Sequence, residues 1–234
     1  MEDQMMKEKA VIVLSGGLDS TTCMGIAKQR GYDLYPITFF YNQRHNREVE
    51  QAKKIAEYYE VGHQHKVVNV SFLGEIGGSA LTDQAIHVPT DGVKDEIPST
   101  YVPARNLIFL SLATAYAEVI GAKVIYTGVT AVDYSGYPDC RPEFIQSMTE
   151  TINLATKLGV TSEEKLRIET PLIHLSKAEI IRIGLDLQVP YELTTSCYLG
   201  EEEACGECDS CRLRLKGFEE NNAKDPIRYR TAAS

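Results

Sequence analysis

This sequence has no excess of positive charge: 24 lysines and arginines face 33 aspartates and glutamates, for a formal net charge of -9. General binding to a nucleic-acid backbone is thereby disfavoured, and nucleic acid is not among the expected partners. No apolar stretch approaches the length of a membrane span, and the charged start MEDQMMKEKA leads into a run too short for a signal h-region. The expectation is a cytoplasmic chain that does not engage membranes. Internal repeats and low-complexity tracts are missing too. With no export signal, the six cysteines point to metal or redox chemistry rather than to disulfides. What is present is 234 residues, 43% hydrophobic, enough for one α/β domain with a full core, or such a domain with a small appendage.

β-branched and aromatic runs at 10–14, 34–40, 65–70 and 123–127 read as strands. Helical patterns at 19–30, 46–60 and 103–120 lie between them, the second with Asn46 as N-cap and Val49, Ala52, Ile55, Ala56 and Tyr59 on one face. This alternation predicts a doubly wound parallel α/β sheet with helices on both faces. Gly31 and Gly121 fall where C′ glycines close helices. Ser176-Lys177-Ala178-Glu179 reads as a capping box opening a helix that Pro190 ends. Residues 74–103 are rich in Gly, Pro, Asp and Ser without a clear period, the composition of a lid or binding loop. The division expected is a nucleotide-binding domain over 1–190 and a cysteine-bearing region over 191–234.

Ser15-Gly16-Gly17-Leu18-Asp19-Ser20 follows the first strand, at the sheet edge where doubly wound folds bind ligands. Glycines admit an anion close to the backbone, and a helix N-terminus offers unpaired N–H groups. Gly-Gly alone would fit an ordinary turn capped by Asp19 or Ser20. The loop lacks the lysine of a Walker A motif and carries an aspartate instead. The whole string resembles the PP-loop of the ATP pyrophosphatases, enzymes that cut ATP between the α- and β-phosphates. The resemblance implies a pyrophosphate cradle with Asp19 helping to hold Mg²⁺. Leu14, Ser15, Gly16, Gly17, Leu18, Asp19, Ser20, Thr21 and Thr22 are then expected at ATP, with Thr38 on the second strand, whose end at Phe39-Phe40-Tyr41 could stack an adenine. In the polar quartet Asn42-Gln43-Arg44-His45, Arg44 reads as functional, while His45 fits a solvated loop equally well. Lys177 could meet a phosphate or face solvent.

A second loop, VTAVDYSGYPDCRPEF, packs recognition-type side chains into a few residues. Tyr134 and Tyr137 can stack on a flat heterocycle, Asp133 or Asp139 can accept paired N–H groups, Ser135 adds a hydroxyl, and Arg141 can hold a carboxylate bidentately. A turn with Pro142 at helix N1 explains Gly136 and Pro142 but not the others. Cys140 is without an obvious histidine partner and reads as a buried neutral thiol. Tyr101, Arg105 and Asn106 open the helix after the long loop, in reach of ATP or substrate or as helix-start packing.

Cys197, Cys205, Cys208 and Cys211 form C-x7-C-x2-C-x2-C, with Gly206 at the turn. Four thiolates so spaced suit a structural tetrahedral Zn²⁺. An iron–sulfur cluster is the rival, although the ferredoxin continuation C-x3-C-P is missing.

SGGLDS, YNQRH, VPARN, DYSGYPDCR and SCY…CGECDSC together resemble the 7-cyano-7-deazaguanine synthase family over nearly the whole chain. Some members of that family carry Gly where this chain has Asn42 and Ala104, which bears on local loop geometry. The resemblance implies a homodimer with bound zinc, catalysis by Ser15, Asp19, Ser20, Arg44 and Lys177, and use of ATP, ammonia and 7-carboxy-7-deazaguanine. The filled 234 residues leave no place for a glutaminase domain, hence free ammonia. Two alternatives stand: another PP-loop enzyme such as a tRNA-modifying thiolase, and a non-enzymatic zinc-ribbon regulator on a nucleotide-binding fold.

Overall fold

The computed structural model describes residues 7–42, 47–83, 85–86, 97–132, 136–199 and 202–230. β1 (Lys9–Val13) leads through the SGGLDS turn into α1 (Leu18–Gln29), followed by β2 (Asp33–Phe40), α2 (Arg47–Tyr58), β3 (Lys66–Asn69) and α3 (Phe72–Ile76). Beyond the long loop come α4 (Arg105–Ile120), β4 (Val124–Tyr126), α5 (Pro142–Ala155), α6 (Lys157–Thr161), β5 (Arg167–Glu169), α7 (Lys177–Asp186) and α8 (Asp209–Glu220). The strands form one five-stranded sheet in the order β3-β2-β1-β4-β5, and every pair is parallel. The winding reverses at the β1/β4 junction, so the ligand crevice of such a sheet lies beyond the carboxyl ends of these two strands.

β1 shows why both faces must be covered. Ala10, Ile12 and Leu14 enter one core with Met24 of α1, Ile55 of α2 and Ile180 of α7. Val11 points the other way, into a core with Ile125 of β4, Phe109 of α4 and Ile145 of α5. This is the doubly wound α/β architecture that the strand–helix alternation predicts. In α2, Val49, Ala52, Ile55 and Ala56 are buried as the period requires, while the proposed cap Asn46 lies outside the described residues.

Local signals decide several boundaries. Gly31 and Gly121 sit at φ +86° and +72° beyond α1 and α4. The capping box closes reciprocally, with Glu179 N donating to Ser176 Oγ and Ser176 N to Glu179 Oε2. α7 ends before Pro190, at Asp186, and Gln188 turns the chain at φ +54°. The helix expected from 103 begins at Arg105 because Ala104 is left-handed, at φ +57°. Asn42 shares that conformation at φ +59°, so both sites where family members carry Gly are left-handed positions here.

The sequence reading did not foresee β5, α3, α6 or α8. Of these, α8 matters most for the site. Its Phe218 is 1% exposed and belongs to the same core as β1, with its ring edge-on to Tyr191 at 5.6 Å. The four cysteines are the centre of a separate small cluster with Ala204, Tyr198, Ile227 and Tyr229.

Candidate active site

The carboxyl ends of β1 and β4 open into a cavity of about 280 Å³. Ser15, Gly17, Leu18, Asp19 and Ser20 form one side, and Thr127 to Thr130 another. Two glycines let these segments meet. Gly16 stands at φ +84°, where a Cβ would come within 2.3 Å of Glu48 O, and a Cβ on Gly128 would lie 2.8 Å from Ser20 N. A side chain at either position would push the loop out of the crevice.

Within the loop the hydroxyls are tied together. Ser15 Oγ and Ser20 Oγ are 3.0 Å apart, Ser15 N donates to Ser20 Oγ, and Gly17 N donates to Ser15 Oγ. The N-cap of α1 is Gly17, which offers no capping side chain. The first-turn N–H groups of α1 are thereby left to an anion in the cavity. Asp19 and Lys177 also line this space, with Lys177 Nζ 2.6 Å from Asp19 Oδ1. An acid, a cation and a helix N-terminus thus share one cavity, a set able to receive a phosphate.

Several residues expected at ATP support the loop without lining the cavity. Thr21 Oγ1 donates to Gly17 O, and Thr22 Oγ1 to Leu18 O with Tyr191 Oη 2.8 Å away. Thr38 is 2% exposed, and its hydroxyl donates to Leu14 O beside His65 Nε2 at 2.7 Å. These hydroxyls are consumed in holding β1, β2 and α1 in register.

The remaining wall is largely aromatic, with the guanidinium of Arg105 among the rings and Arg47 and Glu48 of α2 at its border. Phe39 and Phe109 stack at 4.2 Å, and Arg105 lies 6.0 Å over the ring of Tyr41. Arg105, Asn106, Tyr137 and Cys140 line the cavity, as do Phe39, Tyr41 and Phe109. Burial and the adjacent Asp139 push the Cys140 thiol up to about 12, so it is a neutral wall group. Asp139 itself is 6% exposed, and its Oδ2 accepts from Asn106 N at the start of α4. It faces the helix terminus and is not among the residues that line the cavity. Arg141 is exposed as the N-cap residue of α5 and does not line the cavity. Tyr101 is not in the wall either: its hydroxyl accepts from Ala104 N and braces the left-handed turn. Arg44, His45, Asp133, Tyr134 and Ser135 lie outside the described residues.

The sequence reading gave the segment after Pro190 a metal ligand, Cys197, but no part in the nucleotide site, yet Thr195, Ser196, Cys197 and Tyr198 close the cavity from the C-terminal side. Thr195 N donates to Gly16 O at 3.0 Å, which lays this segment directly on the loop. Nothing in its sequence marks it apart from the cysteine that follows. In the cysteine cluster, the four Sγ atoms lie within 4.8 Å of one another, with Cys205 and Cys211 at 3.9 Å. Tetrahedral Zn–S bonds of about 2.3 Å put sulfurs about 3.8 Å apart. Backbone N–H groups of Glu207 and Cys208 point at Cys205 Sγ, and that of Cys205 at Cys197 Sγ, which suits thiolate charge. The set could hold a metal.

A parallel sheet with SGGLDS at its switch point defines a nucleotide-binding fold of the PP-loop type. Comparison with solved structures agrees. A 4-thiouridine synthetase in complex with RNA and ATP superposes with TM-score 0.53 at 21% identity over 91% of this chain and 50% of that one. NMN synthetase from Francisella tularensis gives 0.51 at 15% identity over 94% and 79%. At such identities the likeness concerns the fold alone. Among sequences, a protein of Oceanobacillus iheyensis named 7-cyano-7-deazaguanine synthase is 62% identical over 225 residues, 96% of this chain and 100% of the relative. One of the same name from Thermoplasma volcanium is 53% identical over 227 residues, 96% and 92%. The family described as "Queuosine biosynthesis protein QueC" matches residues 9–222, and the chain belongs to that family.

Proposed function

We propose that the chain makes 7-cyano-7-deazaguanine, the product its relatives' names state, and that it does so from 7-carboxy-7-deazaguanine, ammonia and ATP, as the family resemblance implies. The observation that carries this reading is the SGGLDS loop opening a helix onto a cavity whose wall sets the guanidinium of Arg105 among aromatic rings. The substrate carboxylate attacks the α-phosphorus and pyrophosphate leaves toward the loop and the N-terminus of α1. Ammonia then displaces AMP to give the amide. A second ATP activates the amide oxygen in the same way, and loss of that oxygen as AMP with the amide protons gives the nitrile.

In this scheme Ser15, Gly17 and the first-turn N–H groups of α1 receive the phosphates. Lys177 neutralises charge developing on them. Asp19 fits a Mg²⁺ site, and Mg²⁺ when bound would screen the phosphates against the incoming carboxylate. Phe39, Tyr41 and Phe109 offer flat surfaces to the heterocycles. Arg105 is the cation placed to meet the substrate carboxylate, a role its position supports better than that of Arg141. Arg44, Asp133, Tyr134 and Ser135 stay candidates for loops closing over the site. Zinc is the metal proposed for the cysteines, since an iron–sulfur cluster interposes its own atoms and spreads the thiolates wider than 4.8 Å. A homodimer free in the cytoplasm completes the reading. Among the described residues no helix is long and apolar enough to cross a membrane.

Mass analysis of products from ATP, Mg²⁺, ammonium and the deazaguanine acid tests the proposal. AMP, pyrophosphate and a nitrile are expected. ADP, or no nucleotide product with the acid present, refutes it.

A further inference from the structure

α8 carries a metal-site cysteine, Cys211, and one turn later an arginine 1% exposed, Arg214. All five guanidinium N–H groups of Arg214 are used. Nε and Nη2 form a fork on Asp225, at 2.7 and 2.9 Å. Nη2 also donates to Tyr191 O at 3.1 Å, and Nη1 donates to Thr194 Oγ1 at 2.7 Å and Ser196 Oγ at 3.2 Å. Three of its acceptors therefore lie in the segment 191–196, the one that rests on the phosphate loop through Thr195 N and Gly16 O. A buried ion pair is a weak source of stability compared with apolar packing of the same volume. Its planar, directional fork instead sets geometry.

Ser196 shows what that geometry is for. Its Oγ accepts from Arg214, so its own proton must point elsewhere, and no hydrogen bond among the described residues takes it. The residue is half-buried and lines the cavity beside the loop. Thr194 differs: its hydroxyl also accepts from Arg214, but donates to Tyr191 O at 2.7 Å. We propose that Ser196 is a nucleotide-binding residue that donates its hydroxyl proton to a phosphate oxygen of ATP, and that Arg214 is the residue that positions it. The proposal rests on the reading of the cavity as an ATP site. It also gives the cysteine region a task in the reaction, because Cys197 follows Ser196 in sequence and Cys211 precedes Arg214 by three residues.

The test is a double-mutant cycle read by calorimetric binding of α,β-methylene-ATP with Mg²⁺ to the full metal-loaded chain. Ser196→Ala should weaken binding about ten-fold, the worth of a hydrogen bond to a charged group, with full metal content and a single, slightly lowered melting transition, since Arg214 Nη1 loses one of its two acceptors. Arg214→Lys should weaken binding by at least as much with full metal content. The double variant should bind no worse than Arg214→Lys alone, because a hydroxyl released from its anchor contributes nothing further to lose. Independent, additive losses would overturn the link between the two residues. Ser196→Ala is partly exposed and conservative, so it decides the first half of the proposal even if Arg214→Lys does not fold: unchanged affinity there overturns it. Wild-type chain is titrated in parallel. A wild type that neither binds the analogue nor releases AMP with the acid overturns the nucleotide reading itself, whereas a wild type that does both leaves any failure with Ser196 and Arg214.

Discussion

Ala104 is a residue held against its own preference. At φ +57° and ψ 17° it is left-handed, a conformation that costs an L-residue with a Cβ about 1 kcal/mol or more and glycine very little. Tyr101 Oη accepting from Ala104 N, together with the start of α4, keeps the turn in place. Ala104→Gly should therefore stabilise the chain by about 0.5–1 kcal/mol, less than the full strain because glycine also gains freedom in the unfolded state. Urea unfolding should show a higher midpoint at an unchanged slope. The next residue is the more consequential one. Arg105 is in the cavity wall among Tyr41, Tyr137, Cys140 and Asp139; burial disfavours its charge, but those neighbours outweigh burial and its proton is held more firmly than usual. If it meets the substrate carboxylate, Arg105→Ala should cut kcat/KM about ten-fold or more further for the acid than for the neutral amide intermediate. Arg141→Ala, on the exposed start of α5, should treat the two substrates alike. Equal losses on acid and amide for Arg105→Ala would remove it from the carboxylate.

At the scale of elements, β3, β2 and β1 are linked by a chain of side-chain contacts ending at the phosphate loop. Thr38 on β2 gives its proton to Leu14 O, so His65 Nε2, 2.7 Å from the same hydroxyl, is the donor of that pair. Burial first, and Lys53 second, bring the His65 pKa down to about 4 from 6.5. The folded state thus binds this proton less readily than the unfolded one. Its contribution is fully present above pH 6.5 and is lost as the pH falls toward 4. Stability measured by urea midpoint should decline over that window, and His65→Gln should flatten the decline. The sequence showed β1, β2 and α2 because their apolar positions repeat with an unambiguous period, and α7 because Ser176 and Glu179 announce its start. β5 was hidden: Arg-Ile-Glu offers one apolar residue, and the strand exists because β4 has an edge for Arg167, Ile168 and Glu169 to pair with. α8 was hidden by its mean polarity, since its burial rests on Arg214, Gly217 and Phe218 rather than on an aliphatic stripe. The phosphate loop was legible as a string, but the separation of its lining residues from supports such as Thr22 and Thr38 depends on partners 169 and 24 residues away.

At the scale of the molecule, the question is whether residues 191–234 fold as a unit of their own. Their chemistry is distinct, and the cysteines do centre a separate small cluster. The packing crosses the boundary, however. Phe218 sits in the core of β1 and α7, and Asn221 Nδ2 donates to Ala178 O. Tyr191 Oη donates across the boundary to Ile180 O, while Arg214 holds the carbonyl of Tyr191 from within the region. Withdrawing a fully buried phenylalanine alone costs about 3–5 kcal/mol on the scale of core truncations, a large part of the 5–15 kcal/mol that holds a typical domain together. We propose that the boundary near residue 190 divides chemistry rather than folding. Calorimetry of the metal-loaded chain should then give one transition. Cys208→Ser, which removes a cysteine that is 1% exposed at the N-cap of α8, should move the whole of that transition downward, because freeing α8 also releases Phe218 from the main core. Two transitions, with only the lower one sensitive to Cys208→Ser, would show instead that the cysteine region unfolds by itself and that Phe218 contributes little to the stability of the sheet.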